Sequence, residues 1–170
     1  MNFEFSSDQM LLKDQARKFL ESEESVKKAR EVLEGEQTHD ESLWKSVIEM
    51  GWTATTIPEE FDGLGLGYLE LCVIAEELGR SLAPTPFSSS VYLATEALIS
   101  LGSNEQKQSY LPRLATGEII GTLAHTESTS SPSIENLSCE LNNNKLNGTK
   151  IAVTDGDIAN FAVEIGRAHV

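Results

Sequence analysis

Apolar positions over residues 1 to 117 recur at helical intervals, and capping or breaking residues punctuate each stretch. Ser6 with Gln9 has the spacing of a capping box, and behind it Leu11, Leu12, Ala16, Phe19 and Leu20 recur on one face. This predicts a long acidic helix with a break near Ser22. Leu43, Val47 and Met50 form a second stripe, with Trp44 and Ile48 beside it and Gly51 as its stop. Pro58 and the glycines at 63, 65 and 67 interrupt any period, so residues 53 to 67 are expected to be irregular. Leu71, Ile74, Ala75, Leu78 and Leu82 line a further helix, ended by Gly79 or by Pro84 and Pro86. Val91, Ala94, Ala97, Leu98 and Leu101 line another that stops at Gly102, and Ser103 with Gln106 makes the capping box of the next. Five helices are expected before residue 118.

From Ile119 the vocabulary changes to glycine, threonine and β-branched residues. Gly121-Thr-Leu-Ala-His-Thr-Glu127 and Leu146-Asn-Gly-Thr-Lys-Ile-Ala-Val-Thr154 contain two β-type runs, each ending in a threonine. Between them, Leu137 to Leu141, Asn142 to Asn144 and Lys145 to Asn147 read as a hairpin. Helices in one block and strands in the next predict an α+β chain. An all-α domain is expected over 1–117 and the opening of an incomplete, β-barrel-like domain over 118–164. Residues 165–170, Ile-Gly-Arg-Ala-His-Val, follow with no turn or helix logic. They resemble a translated sequencing-library adapter, so a non-native tail is expected there, with Arg167 and His169 carrying no function.

Composition narrows the classes. With 170 residues, 39% of them apolar and 24% charged, the chain has the make-up of a globular protein of one to one and a half domains. No apolar run approaches the roughly 18 residues of a membrane span, and no membrane insertion is expected. The start, Met1 to Asp8, lacks the features of a secretory or transit signal, which makes a cytoplasmic location the expectation. The formal charge is −14, with 18 of the 27 acids in the first 80 residues, so nucleic acid and anionic membranes are poor partners for that surface, and no nucleic-acid partner is expected. A polyanionic ligand would need a local basic patch, for which Arg113, Lys145 and Lys150 are the candidates. Cys72 and Cys139 have no metal-like spacing and read as small core residues.

Several tempting motifs fail on spacing. Gly63-Leu-Gly-Leu-Gly67 lacks both the G-x-G-x-x-G pattern and a preceding strand, so it reads as a backbone device and not as a dinucleotide loop. The pairs Glu59-Glu60 and Glu76-Glu77 do not face one site and read as solvated or salt-bridged carboxylates. His39 and His125 have no partner at ligand spacing, so no metal site is expected. Taken singly, Thr126 and Thr154 are ordinary strand threonines. Taken together, two neighbouring strands would present hydroxyls and free backbone groups along one edge, as a flat, hydrogen-bonding cofactor ring requires.

These two runs combine with Ile57-Pro-Glu-Glu-Phe-Asp-Gly-Leu-Gly-Leu-Gly67, Glu76-Glu-Leu-Gly-Arg80 and Ser109-Tyr-Leu-Pro-Arg-Leu-Ala-Thr-Gly-Glu118. In that order they resemble the acyl-CoA dehydrogenase flavoprotein family, from about Phe5 to Val163. The resemblance implies FAD as cofactor, an acyl-CoA thioester as substrate, electron-transfer flavoprotein as acceptor, and a homo- or hetero-oligomer. It implies removal of two hydrogens from the α and β carbons, a carboxylate taking the α proton while the β hydride moves to flavin N5. Fixed donors at the thioester oxygen and the flavin pyrimidine would lower that barrier. Leu123, His125 and Thr126 match the family's first flavin-edge strand, with Thr126 near the pyrimidine side. Ala152, Val153 and Thr154 match the second, with Thr154 near N5.

The chain also departs from the family pattern. Where Glu-Pro is usually followed by Gly-Ser-Asp, it reads Glu127-Ser-Thr-Ser-Ser-Pro-Ser133. Pro132 then stands at the serine and Ser133, a candidate substrate contact, at the aspartate. A proline has no N–H to donate. Ala152 stands where many members place a tryptophan. No residue matches the family's catalytic carboxylate, which lies on a later helical domain, so no catalytic residue is assigned. The chain is expected to be a fragment, inactive alone, with weak or absent FAD binding. Two other readings share the scaffold: a non-catalytic subunit of a heteromeric dehydrogenase, and a flavin-dependent oxidase or monooxygenase.

Overall fold

A computed structural model describes residues 4–129 and 137–168. Its helices begin where local capping chemistry places them. The Ser6 hydroxyl accepts from the Gln9 N–H at 3.2 Å and the Gln9 side chain accepts from the Ser6 N–H at 3.0 Å, opening α1 (Ser7–Ser22). The break near Ser22 is complete: Glu24 adopts φ 53° and starts a separate α2 (Ser25–Glu34). Asp40 caps α3 (Glu41–Glu49), which stops at Gly51, φ 74°. Two single 3₁₀ turns, Trp52–Ala54 and Glu59–Phe61, occupy the irregular stretch.

Helix α4 (Tyr68–Arg80) runs through Gly79 instead of ending there. Leu82 was expected on its apolar stripe, but it lies beyond the helix with φ 51° and is exposed. Ser88–Thr95 is π-helical and continues into α5 (Glu96–Leu101), and α6 (Asn104–Ala115) starts at the second capping box, Ser103 with Gln106. Among the described residues six α-helices therefore stand where five were expected, because the first long stretch divides in two.

Two apolar clusters hold these helices. One joins Ala16 and Leu20 of α1, Leu43 and Val47 of α3, and Leu71, Ile74 and Leu78 of α4 around Trp52. The other joins Ile57, Phe61, Leu98, Leu111 and Leu114. Each such side chain contributes about 1.5–3 kcal/mol by leaving water. Phe161 and Val163 pack against the second cluster, so the strand region borrows part of its core from the helices. Cys139 is buried as expected. Cys72 is exposed, which corrects its reading as a core residue: it falls on the solvent side of α4 next to buried Leu71.

The strands form two small sheets. β1 (Gly121–Ala124) pairs in parallel with β4 (Phe161–Glu164), Gly121 opposite Phe161 and Ala124 opposite Glu164. The hairpin is β2 (Glu140–Asn142) and β3 (Lys145–Asn147), turned at Asn143 and Asn144, both with the positive φ that a two-residue hairpin turn requires. β5 (Arg167–Ala168) pairs in parallel with β2, so the structure gives two residues within the expected tail a strand partner. His169 lies outside the described residues.

One expectation is overturned. The run ending at Thr154 does not continue as a strand past Asn147. Ala152 and Asp155 adopt φ 50° and 52°, which breaks the extended path, and the neighbour of β1 in the ladder is Phe161–Glu164 instead. No described helix is long and apolar enough to cross a membrane.

Candidate functional site

From Thr122 in β1 to Thr126, the chain runs antiparallel to residues 150–155 without forming a ladder, and a few bonds fix the two segments at both ends. At one end, consecutive residues address consecutive carbonyls: Lys150 Nζ donates to the His125 carbonyl at 3.3 Å, and the Ile151 N–H donates to the Thr126 carbonyl at 2.8 Å. At the other end the Thr122 hydroxyl donates to the Thr154 carbonyl at 2.6 Å. The Ser89 hydroxyl donates to Asp155 at 2.6 Å, and the Gly121 N–H donates to the Ser90 hydroxyl at 3.4 Å. Ser89-Ser90, Gly121-Thr122 and Thr154-Asp155 thus close a ring of three hydrogen bonds. Gly121 permits this approach because a Cβ there would lie 2.6 Å from the Ala94 methyl and 2.7 Å from the Phe161 ring.

Charge gathers at the first end. Lys150, only 8% exposed, pairs with Glu127 at 2.7 Å and Glu164 at 3.1 Å, and it also donates to the Ile165 carbonyl. Glu127 accepts further bonds from the Ser138 N–H and hydroxyl and from the Cys139 N–H. The bond from Lys150, then those from the Ser138 and Cys139 backbones, hold the Glu127 carboxyl at about 2. Burial pulls the Lys150 pKa down, but its bonds to Glu127 and Glu164 override this and the net shift is upward. Hydrogen bonding to Glu164, with burial, pushes the Cys139 thiol up. Glu127, Cys139 and Glu164 place potential ligand atoms within 4.8 Å of one another. The Lys150 ammonium already supplies the positive charge that this group calls for.

The residues expected at a cofactor edge fall as follows. Leu123 is half-buried in β1, opposite Val163. His125 and Thr126 are half-buried on the segment that β1 delivers. Val153 is half-buried, Ala152 and Thr154 are exposed, and all three lie on the segment fixed at residues 150–151 and 154–155. Thr126 stands across from Ile151, so Thr154 is at most about 10 Å further along the chain. Ser133 and Pro132 lie outside the described residues.

The three candidate cations do not form a patch. Arg113 pairs with Glu118 at 2.7 Å, Lys145 is exposed on the hairpin, and Lys150 is buried with its donors spent. Lys150 is thereby corrected from a surface cation to an internal one. The ion cluster and the Ser89–Asp155 bond escaped sequence reasoning, because neither has a local spacing signal.

A flavin ring needs donors that the protein has not already used, and these segments have them. Among the described residues, the N–H groups and hydroxyls of Thr126 and Thr154 donate to no protein acceptor, and neither does the Val153 N–H. A cavity of about 560 Å³ borders Val153, with Thr122, Ala124, Lys150, Ala159 and Phe161 also lining it; Thr126 and Thr154 are not among its lining residues. In donor chemistry the residues present fit the edge of a flavin.

Comparison with known proteins points the same way. The profile for "Acyl-CoA dehydrogenase, N-terminal domain" matches residues 6–118. A mitochondrial isovaleryl-CoA dehydrogenase of Solanum tuberosum is 34% identical over 137 residues, which is 77% of this chain and 33% of that protein. An acyl-CoA dehydrogenase complexed with FAD from Bacillus anthracis superposes with a TM-score of 0.81 at 26% identity, over 97% of this chain and 30% of that one. The ChsE4-ChsE5 complex from Mycobacterium tuberculosis matches with a TM-score of 0.81 at 27% identity, over 96% of this chain and 46% of that one. The chain spans 33% to 43% of the length of its curated relatives.

Proposed function

The chain belongs to the acyl-CoA dehydrogenase family, and from that premise we propose that it carries one edge of the FAD site of an enzyme that desaturates acyl-CoA thioesters between the α and β carbons. The observation behind this reading is the set of unspent donors on two adjacent segments, at Thr126 and Thr154. FAD, when bound, would accept the hydride leaving the β carbon. Thr126 and Thr154 would donate to the rim of the ring, Val153 would add a backbone donor, and Leu123 and His125 would carry Thr126 into place. Such donors stabilise charge accumulating on the ring without reorganising water.

No residue of this chain is assigned as the base that takes the α proton. Ser133 is proposed as a substrate contact. Electron-transfer flavoprotein is the proposed acceptor, and the parent is proposed to work as an oligomer. A second reading, a subunit contributing structure and not chemistry to a heteromeric dehydrogenase, draws support from exposed Ala152, which offers no ring to stack on a flavin, and from the likeness to a two-component complex.

Titration of the protein with FAD, followed by flavin absorbance and fluorescence, tests the reading. Weak but saturable binding is expected. Thr126→Val and Thr154→Val should each weaken it by up to about tenfold, the worth of one neutral hydrogen bond. Absence of saturable binding, or equal affinity in the double variant, would refute the assignment of this edge.

A further inference from the structure

The structure assigns a positioning role to Lys150: resting on the flavin-edge reading above, we propose that its ammonium sets the register between residues 125–126 and residues 151–154, and so the placing of Thr154 relative to Thr126. Lys150 meets four acceptors, on two separate segments: the His125 carbonyl and Glu127 on one, Glu164 and the Ile165 carbonyl on the other. A surface cation would need none of these, and a lysine serving only to neutralise the two carboxylates would not need the carbonyls.

The bond to His125 matters because of its neighbour. The segments run antiparallel, so residue 150 lies across from residue 127, and its side chain reaches past Glu127 to the 125 carbonyl; with the Ile151 N–H on Thr126 this makes two attachments at this end, where a single bond would leave a pivot. No described strand covers residues 148–160, so no ladder duplicates this fixing. Without Lys150, residues 151–153 would be held at this end by the Ile151 N–H alone. Glu127 extends the anchor through Ser138 and Cys139 to the strand that starts the hairpin.

Glu164 separates positioning from charge balance, since it touches the ammonium but neither the 125 nor the 126 carbonyl. Lys150→Met alone would strand two half-buried carboxylates. The double variant K150M/E164Q leaves only Glu127, which keeps its bonds from Ser138 and Cys139. The protein, K150M/E164Q and E164Q are compared by amide hydrogen exchange without flavin and by FAD titration, with the amides of α4 as the control for folding.

In K150M/E164Q the Ile151 amide is expected to exchange at least about tenfold faster and FAD affinity to fall by about tenfold, with α4 unchanged. E164Q alone should change each by less than about twofold. If the double variant matches E164Q in both measurements, the proposal is overturned. If Ile151 exchange accelerates while FAD affinity holds, Lys150 is only structural, and the proposal falls while the flavin-edge reading stands. If the unsubstituted protein shows no saturable FAD binding, that reading fails and takes this role with it.

Discussion

Replacing Glu77 by glutamine should remove stability that depends on pH in a defined direction. Glu77 lies on α4 facing α1 with its side chain fully buried, and it receives two bonds from Arg17, at 2.8 and 3.1 Å, and one from Arg80 at 2.7 Å. The Arg17 bonds lower its pKa most, burial opposes them, and the bond and charge of Arg80 add to the lowering, giving a value of about 2 against an ordinary 4.5. At about 1.4 kcal/mol per pH unit this corresponds to about 3 kcal/mol. Arg17 and Arg80 are 41% and 43% exposed, so solvent screens the attraction and about 2 kcal/mol is the expected effect.

Because the folded-state pKa lies below the unfolded one, this contribution is complete above about pH 4.5 and is lost as the pH falls through about 2. Urea denaturation of the protein and of Glu77→Gln at intervals from pH 7 to pH 2 isolates it, since every other titrating group is common to both. The difference in unfolding free energy should be about 2 kcal/mol at pH 7, shrink below pH 4.5 and approach zero near pH 2. A difference that stays constant over this range, or equal stability at pH 7, would show that the arginine fork does not hold α1 to α4.

Two further substitutions probe the scaffold. Gly63→Ala places a Cβ 1.9 Å from the Ile57 carbonyl oxygen, so a loss of at least about 3 kcal/mol is expected, seen as a fall in Tm of about 10 °C; an unchanged Tm would refute the tight turn. Ser89→Ala and Asp155→Ala, combined in a double-mutant cycle read by urea denaturation, should show a coupling of about 1 kcal/mol, whereas simple additivity would mean that the bond contributes nothing in solution.

The legible part of this chain was the part governed by near neighbours. The capping boxes at Ser6 and Ser103 and the stop at Gly51 need only three or four residues to state their chemistry, and all three appear as expected. The hairpin at Asn143-Asn144 was legible for the same reason. The partner of β1 was not. Ile151, Val153 and Thr154 have the composition of a strand, but Thr122 takes the Thr154 carbonyl and Ser89 takes the Asp155 carboxylate, and these distant hydroxyls compete with an extended path. Lys150 read as a surface cation because its burial depends on Glu127, 23 residues away in sequence, and on Glu164 converging from β4.

These corrections locate the control of the candidate site in two different halves of the molecule. The Thr126 end of the pair of segments is fixed inside the strand region, by Lys150 and Ile151. The Thr154 end is fixed partly by the helical half, through Ser89 and Ser90 of the π-helical stretch. The wider turn there carries buried Ser89, Ser90 and Thr95, and Thr95 returns a bond to the Ser90 carbonyl five residues back, so polar side chains sit in the core without loss. A change in this stretch should therefore move Thr154 while leaving Thr126 in place, and a change at Lys150 should release the opposite end. Since a planar ring needs both ends at once, the helical and strand halves of the chain set the site jointly, and neither would be expected to hold it alone.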